Sequence, residues 1–197
     1  MSLLRLLAGY VNKAQDFRSP QGLYIKGDLF SETALRDEMS RHRLQKSAGE
    51  LYRLARSSKP TRAHKAVKCL DNAGQLLRCY TQNIDMLETK AGLSTDLEEE
   101  ENLSCVELHG SLCLLRCTHC SRTFPMKEHE DDFSKVHDLP CPQCTAYSVA
   151  REAAGRRRVS VGILLPDIVR IGQQHPNGEA IARIIRRDQN ERPDFGN

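Results

Sequence analysis

Between Glu32 and Ala55 the apolar residues Leu35, Met39, Leu44, Leu51 and Leu54 are spaced among many charges. That spacing follows a helical period, and one or two amphipathic helices are expected there. Pro60 and Thr61 open a second helical pattern, whose expected inner face is Ala63, Ala66, Val67 and Leu70. Proline suits a first turn, where its missing N–H would have no intrahelical partner. Asn72, Ala73 and Gly74 supply the stop signal. The run LLRCY (76–80) then reads as a strand, and TQNID (81–85) as the loop that leaves it. Further on, CVELHG (105–110) is a short apolar stretch. VSVGILLPDIVRIG (159–172) resumes the apolar pattern and is expected to return as a strand to the main sheet.

Helix, glycine turn, strand and polar loop make half of an α/β repeat. In open α/β sheets ligands bind beyond the carboxyl ends of the strands. Thr81, Gln82, Asn83 and Asp85 stand at such an end. Polar groups packed this densely are costly to bury unless something hydrogen-bonds them. A wet surface turn and a polar ligand both satisfy that condition.

With 197 residues, 39% hydrophobic and 28% charged, the chain can bury the core of one or two domains. Aromatic residues are few and Trp is absent, so aliphatic side chains must carry that core. The net charge of +3 is too small to argue by itself for nucleic-acid binding. No apolar run approaches the roughly 20 residues that span a bilayer. The start, MSLLRLLAGYV, is interrupted by Arg5 and lacks a small-residue cleavage site, so no secretory signal is expected. Nuclear or cytoplasmic residence is the expectation, without membrane attachment.

The eight cysteines change the picture most. Cys117 and Cys120 form CTHC, Cys141 and Cys144 form CPQC, and twenty residues separate the pairs. Two CxxC knuckles at this spacing signal a zinc site, because four thiolates close a tetrahedron around one ion. His119, inside the first knuckle, could replace a cysteine as ligand but reads better as a surface histidine. Cys69, Cys79, Cys105 and Cys113 lack such spacing and read as small buried hydrophobes. The polar segment from Ser121 to Pro140 is expected to depend on the metal for its fold. The acidic run from Asp96 to Glu101 reads as a solvated loop or a docking surface for a basic partner. Arg156 to Arg158 read as a surface turn, or as a nuclear-import or substrate-facing patch.

In their order, DFRSPQGLY (16–24), YTQNID (80–85), ELHG (107–110), the four zinc cysteines and GILLPDIVRIG (162–172) resemble the sirtuin family of NAD-dependent protein deacylases. HPNGEAIARIIRRDQNERPD (175–194) is most similar to the fungal nuclear branch that deacetylates histone H3. The resemblance implies an α/β fold. A Rossmann-like parallel sheet from residues 1–112 and 159–197 would bind NAD, with a zinc-binding module, 113–158, inserted. It implies His109 as the general base that activates a ribose hydroxyl; histidine suits this because its ordinary pKa lies near working pH. Gln82 would meet the nicotinamide ribose, and Asn83 and Asp85 the nicotinamide end. Asp16, Phe17 and Arg18 would cover the cofactor. Val169, Ile171 and Gly172 would pair with the substrate peptide as an added strand. The implied partner is an acetylated histone or another acetyl-lysine protein, in a chromatin-silencing setting, with no sequence-specific contact to nucleic acid.

Two stretches differ from the family pattern. AGYVNKAQ (8–15) replaces the Gly-rich loop that cradles the pyrophosphate, and the chain stops at FGN, ahead of the strands that hold the adenosine. The expectation that follows is an incomplete sheet and weak NAD binding. The alternative function is a catalytically impaired relic acting as a zinc-containing interaction protein.

Overall fold

The structure is a computed structural model that describes residues 35–135 and 138–190. Asp16, Phe17 and Arg18, the altered Gly-loop segment and the stretch after Asn190 lie outside the described residues, and with them the expectation of weak NAD binding.

One helix, α1 (Glu38–Ser57), fills the first amphipathic pattern. Asp37 caps it, its carboxylate accepting from the Ser40 N–H at 2.9 Å. Leu44, Gln45, Ala48, Tyr52 and Ala55 form its buried face. Met39 and Leu54, expected on that face, are exposed. Lys90 closes the other end by donating to the carbonyls of Ala55 (3.1 Å) and Arg56 (2.8 Å), a cation at the negative end of a helix.

The second helix, α2 (Arg62–Asn72), begins as expected. His64 completes the capping box at Thr61, its Nδ1 accepting from the Thr61 N–H at 3.2 Å. Gly74, at φ +65°, ends it, with the Gln75 N–H reaching back to the Leu70 carbonyl. The expected inner face is a correction: no residue of α2 is buried, and Leu70 and Cys69 are exposed. Polar contacts hold the helix instead. Asp71 accepts from Ser104 at 2.6 Å, and His64 approaches Glu88 at 3.9 Å.

Strand β1 (Cys79–Thr81) starts later than LLRCY suggests, and Leu77 is exposed. It runs parallel to β2 (Cys105–Glu107), with Cys79 beside Cys105 and Thr81 beside Glu107. The one-turn helix α3 (Leu87–Lys90) lies between them in sequence. After β2 come β3 (Gly110–Cys117), β4 (Thr123–Pro125), α4 (Met126–Lys135), α5 (Pro142–Ala153), β5 (Leu164–Ile168) and α6 (Gly178–Asn190). Ile181 and Ile184 of α6 cover the parallel pair together with Leu103 and Val106. Asp188, on the same helix, accepts from Arg78 and Tyr80 of β1 and its approach.

The second sheet is antiparallel, in the order β4-β3-β5. Here an expectation fails: the strand in VSVGILLPDIVRIG joins β3 and not the parallel pair. The cysteine knuckles redirect it. Cys117 pairs with Leu164, the Thr118 N–H donates to the Ile163 carbonyl at 3.0 Å, and the Cys141 N–H to the Gly162 carbonyl at 2.8 Å. The expected division at residues 112 and 159 thus falls inside β3 and just ahead of β5.

One core unites α1, β3, β5, α4 and the knuckles. Ala48, Tyr52, Leu112, Leu115, Phe133 and Leu164 pack with Cys117, Cys141 and Cys144. Met86 and Ile84, at the end of the TQNID loop, belong to this core as well. The acidic run is partly docked: Glu100 pairs with Arg183 at 2.5 Å and Arg187 at 3.1 Å, so the basic partner is α6 of the same chain. Among the described residues no helix is long and apolar enough to cross a membrane.

Candidate active site and metal centre

At the end of β1 the chain turns on its own side chains. Thr81 is buried and its hydroxyl accepts from the Asn83 N–H at 3.1 Å. Asp85 accepts from the Leu87 N–H at 3.1 Å and starts α3. These contacts fix the backbone and leave Gln82 exposed, with Asn83 and Asp85 half-buried. The His109 turn is clamped beside this loop. The Leu108 N–H donates to the Thr81 carbonyl at 2.8 Å, the Leu112 N–H to the Ile84 carbonyl at 3.1 Å, and the Val169 N–H to the His109 carbonyl at 2.9 Å. Gly110 makes the clamp possible. Its φ is +74°, and a Cβ there would stand 2.1 Å from the Asp167 carbonyl oxygen.

The structure thus brings Gln82, Asn83, Asp85 and His109 to one end of the parallel pair, with Val169 directly behind. Ile171 and Gly172 continue outward and are exposed. Beyond them a cavity of about 480 Å³ is lined by Arg116, Asp167, Arg170 and Gln173. A larger one of about 770 Å³ lies at the other end of β1, between Lys68, Arg78 and Ser104.

Sequence reasoning missed the buried acids beneath this turn. Burial pushes the Glu107 carboxyl up to about 7; the nearby Ser111 hydroxyl opposes this, and Glu88, Asp85 and Asp167 add to it. Burial likewise raises Asp85. Glu107 Oε1, Glu88 Oε2 and Ser111 Oγ are buried with no hydrogen-bond partner among the described residues. His175 was also missed. Its Nδ1 accepts from the Asn177 N–H at 2.9 Å, and burial holds the ring below its ordinary value. A charged residue inside the apolar ELHG run was the available signal for Glu107.

The four knuckle cysteines converge, all four Sγ atoms lying within 4.8 Å of one another. The Cys117–Cys144 and Cys120–Cys141 separations are 3.7 and 3.8 Å. Zinc–sulfur bonds of about 2.3 Å in a tetrahedron require sulfurs about 3.8 Å apart, so the donor set fits a structural zinc. The N–H groups of His119 and Cys120 point at Cys117 Sγ, at 3.3 and 3.4 Å, which would steady a thiolate. His119 itself is exposed, as expected.

The model of the Sir2 family matches residues 12–192. The NAD-dependent histone deacetylase HST3 of Saccharomyces cerevisiae is 36% identical over 88% of this chain and 44% of its own. The NAD-dependent protein deacetylase hst4 of Schizosaccharomyces pombe is 34% identical over 91% of this chain and 46% of its own. The chain therefore spans about half the length of the relatives it matches. A solved Sir2 homologue in complex with ADP-ribose superimposes with a TM-score of 0.62 at 24% identity, over 87% of this chain and 57% of that one.

Two outcomes follow from the site. A Cβ at Gly162 would meet Cys117 Sγ and His119 Cβ, each at 2.6 Å. Gly162→Ala should therefore lower the zinc content of purified protein well below one per chain, by elemental analysis; full occupancy would show that the knuckle tolerates the methyl. Glu107 is an acid raised from 4.5 to about 7, so the folded state holds its proton more tightly than the unfolded state. Stability then falls as pH rises from about 4.5 to 7, by up to roughly 3 kcal/mol, and levels off above. Urea unfolding of Glu107→Gln should lack that fall; an unchanged pH profile would remove Glu107 as its source.

Proposed function

The chain belongs to the Sir2 family, and from that premise we propose that it is an NAD-dependent protein-lysine deacetylase acting on an acetylated histone. NAD would supply the ribose carbon to which the acetyl oxygen is transferred, giving nicotinamide and O-acetyl-ADP-ribose. The single observation that carries the reading is the backbone clamp that sets His109 beside the polar end of β1.

His109 is exposed at the turn, where it can reach a ribose hydroxyl and take its proton. Gln82 faces outward, free to hydrogen-bond the same sugar. Asn83 and Asp85 are half-buried one step deeper, a depth that suits a carboxamide more than bulk water. Asp85 has one carboxylate oxygen engaged by Leu87, which orients the other. Asp16, Phe17 and Arg18 retain the family's DFR motif and complete the assignment from the sequence side.

The substrate peptide would lie along 169–172. Strand β5 is an edge of its sheet among the described residues; residues 139–141 cover its outer side only at its start, where the Leu164 N–H donates to the Leu139 carbonyl, and an added strand would pair further along. The Val169 N–H is already taken by His109, so the clamp that holds the base also fixes the start of the peptide-pairing segment. The relatives named as histone deacetylases support a histone substrate and a nuclear setting. Zinc would act only through structure, holding β3 against β5. No observation favours the reading of the chain as an impaired relic.

The test is nicotinamide release from NAD and an acetylated histone H3 peptide. Replacing His109 with Ala should slow it by about 10²- to 10⁴-fold, the usual contribution of a general base. Circular dichroism should match the parent. Release at the parent rate would exclude His109 as the base.

A further inference from the structure

The arginines at the end of α5 are not used by the site described above. Helix α5 closes on Gly155, at φ +71°, and the Arg156 N–H returns to the Arg151 carbonyl at 2.9 Å. That turn folds Arg156, Arg157 and Arg158 back beside the last helical turn, where Arg151 donates to the Arg157 carbonyl at 3.1 Å. Sequence neighbours thus become one surface patch. All three returning arginines are exposed. The one acid between Pro140 and Pro166 is Glu152, which pairs with Arg158 at 2.6 Å.

Charge is segregated across this part of the fold. The acids of the cysteine-bounded segment cluster on α4, and Glu130 there is paired with Arg56 of α1 at 2.6 Å. The α5 end has no such counterweight. Four arginines against one glutamate leave a local surplus of three positive charges. In the structure, the Arg151 guanidinium lies 5.9 Å over the ring of Tyr147, itself 55% exposed.

We propose that the patch formed by Arg151, Arg156, Arg157 and Arg158 is a docking surface for the phosphate backbone of duplex DNA. Guanidinium groups present forked donors that match phosphate oxygens. A rigid turn with several of them suits a repeating polyanion better than a single acidic side chain. The contact is independent of base sequence, because guanidinium–phosphate pairs carry no sequence information. Histones carry wrapped DNA, so the patch would hold the enzyme near its substrate. That last link rests on the proposed function; the DNA contact does not.

The experiment is fluorescence anisotropy of the full chain with a labelled mixed-sequence duplex, without NAD, across a salt series. About three phosphate contacts predict a log–log salt slope near −2.7, hence about 40-fold weaker binding at 200 mM than at 50 mM salt. The double variant Arg156→Ala/Arg157→Ala keeps the Glu152 pair and the Tyr147 contact. It should bind more weakly with a slope near −0.9, while zinc content and nicotinamide release from a free acetylated peptide stay at parent values. No binding at 50 mM salt, or an unchanged slope in the variant, overturns the proposal. So does equal affinity for a poly-glutamate peptide, which would make the partner an acidic protein segment. Loss of peptide deacetylation in the parent chain would instead strike the proposed function and leave this one standing.

Discussion

Everything at the site depends on the position of one turn, ELHG, which is held from two sides by main-chain hydrogen bonds. Its Leu108 N–H reaches the end of β1, and its His109 carbonyl receives the Val169 N–H at the end of β5. Such bonds contribute only about 1 kcal/mol each, but leaving any of these groups buried and unpaired would cost more. The approach is closer than any side chain at residue 110 would allow. The parallel pair and the antiparallel sheet therefore meet across a single glycine, and the histidine sits at the meeting point.

The same constraint links the four-cysteine site to the His109 turn. Strand β5 reaches the turn only because its start is fixed to the knuckles, through Cys117 beside Leu164 and Cys141 beside Gly162. Three of the four cysteines lie in the core that also holds α1 and the end of the TQNID loop. Structural zinc supplies folding free energy outright. Zinc at the knuckles would deliver that free energy to the core that backs both the loop and the clamp, so its loss would loosen residues 84–86 and 164–169 together.

Features set by a few neighbouring residues were legible in the sequence. The start of α2 at Thr61, its end at Gly74, the polar exit from β1 and the cysteine knuckles all follow from local caps, turns or ligand spacing. Features set by distant partners were not. VSVGILLPDIVRIG has the pattern of a strand, but a pattern does not name the strand it pairs with, and β3 takes it. The apolar residues of α2 follow a helical period without being buried, because that helix is held by Asp71 and His64. Cys69 was misread for the same reason. The perturbed Glu107 carboxyl arises from burial among three other acids, the nearest of them, Glu88, nineteen residues away in sequence. At the candidate site, the polar loop and the histidine turn stood out in the sequence as expectations, while the clamp that joins them did not.

Residues 81–85, 107–110 and 169–172 are proposed to form one ligand site. Hydrogen–deuterium exchange of the chain, with and without NAD plus an acetyl-lysine peptide, tests this most directly. Slower exchange is expected in those three segments together on adding both ligands. Slowing confined to other segments, or no change in these three, would contradict it.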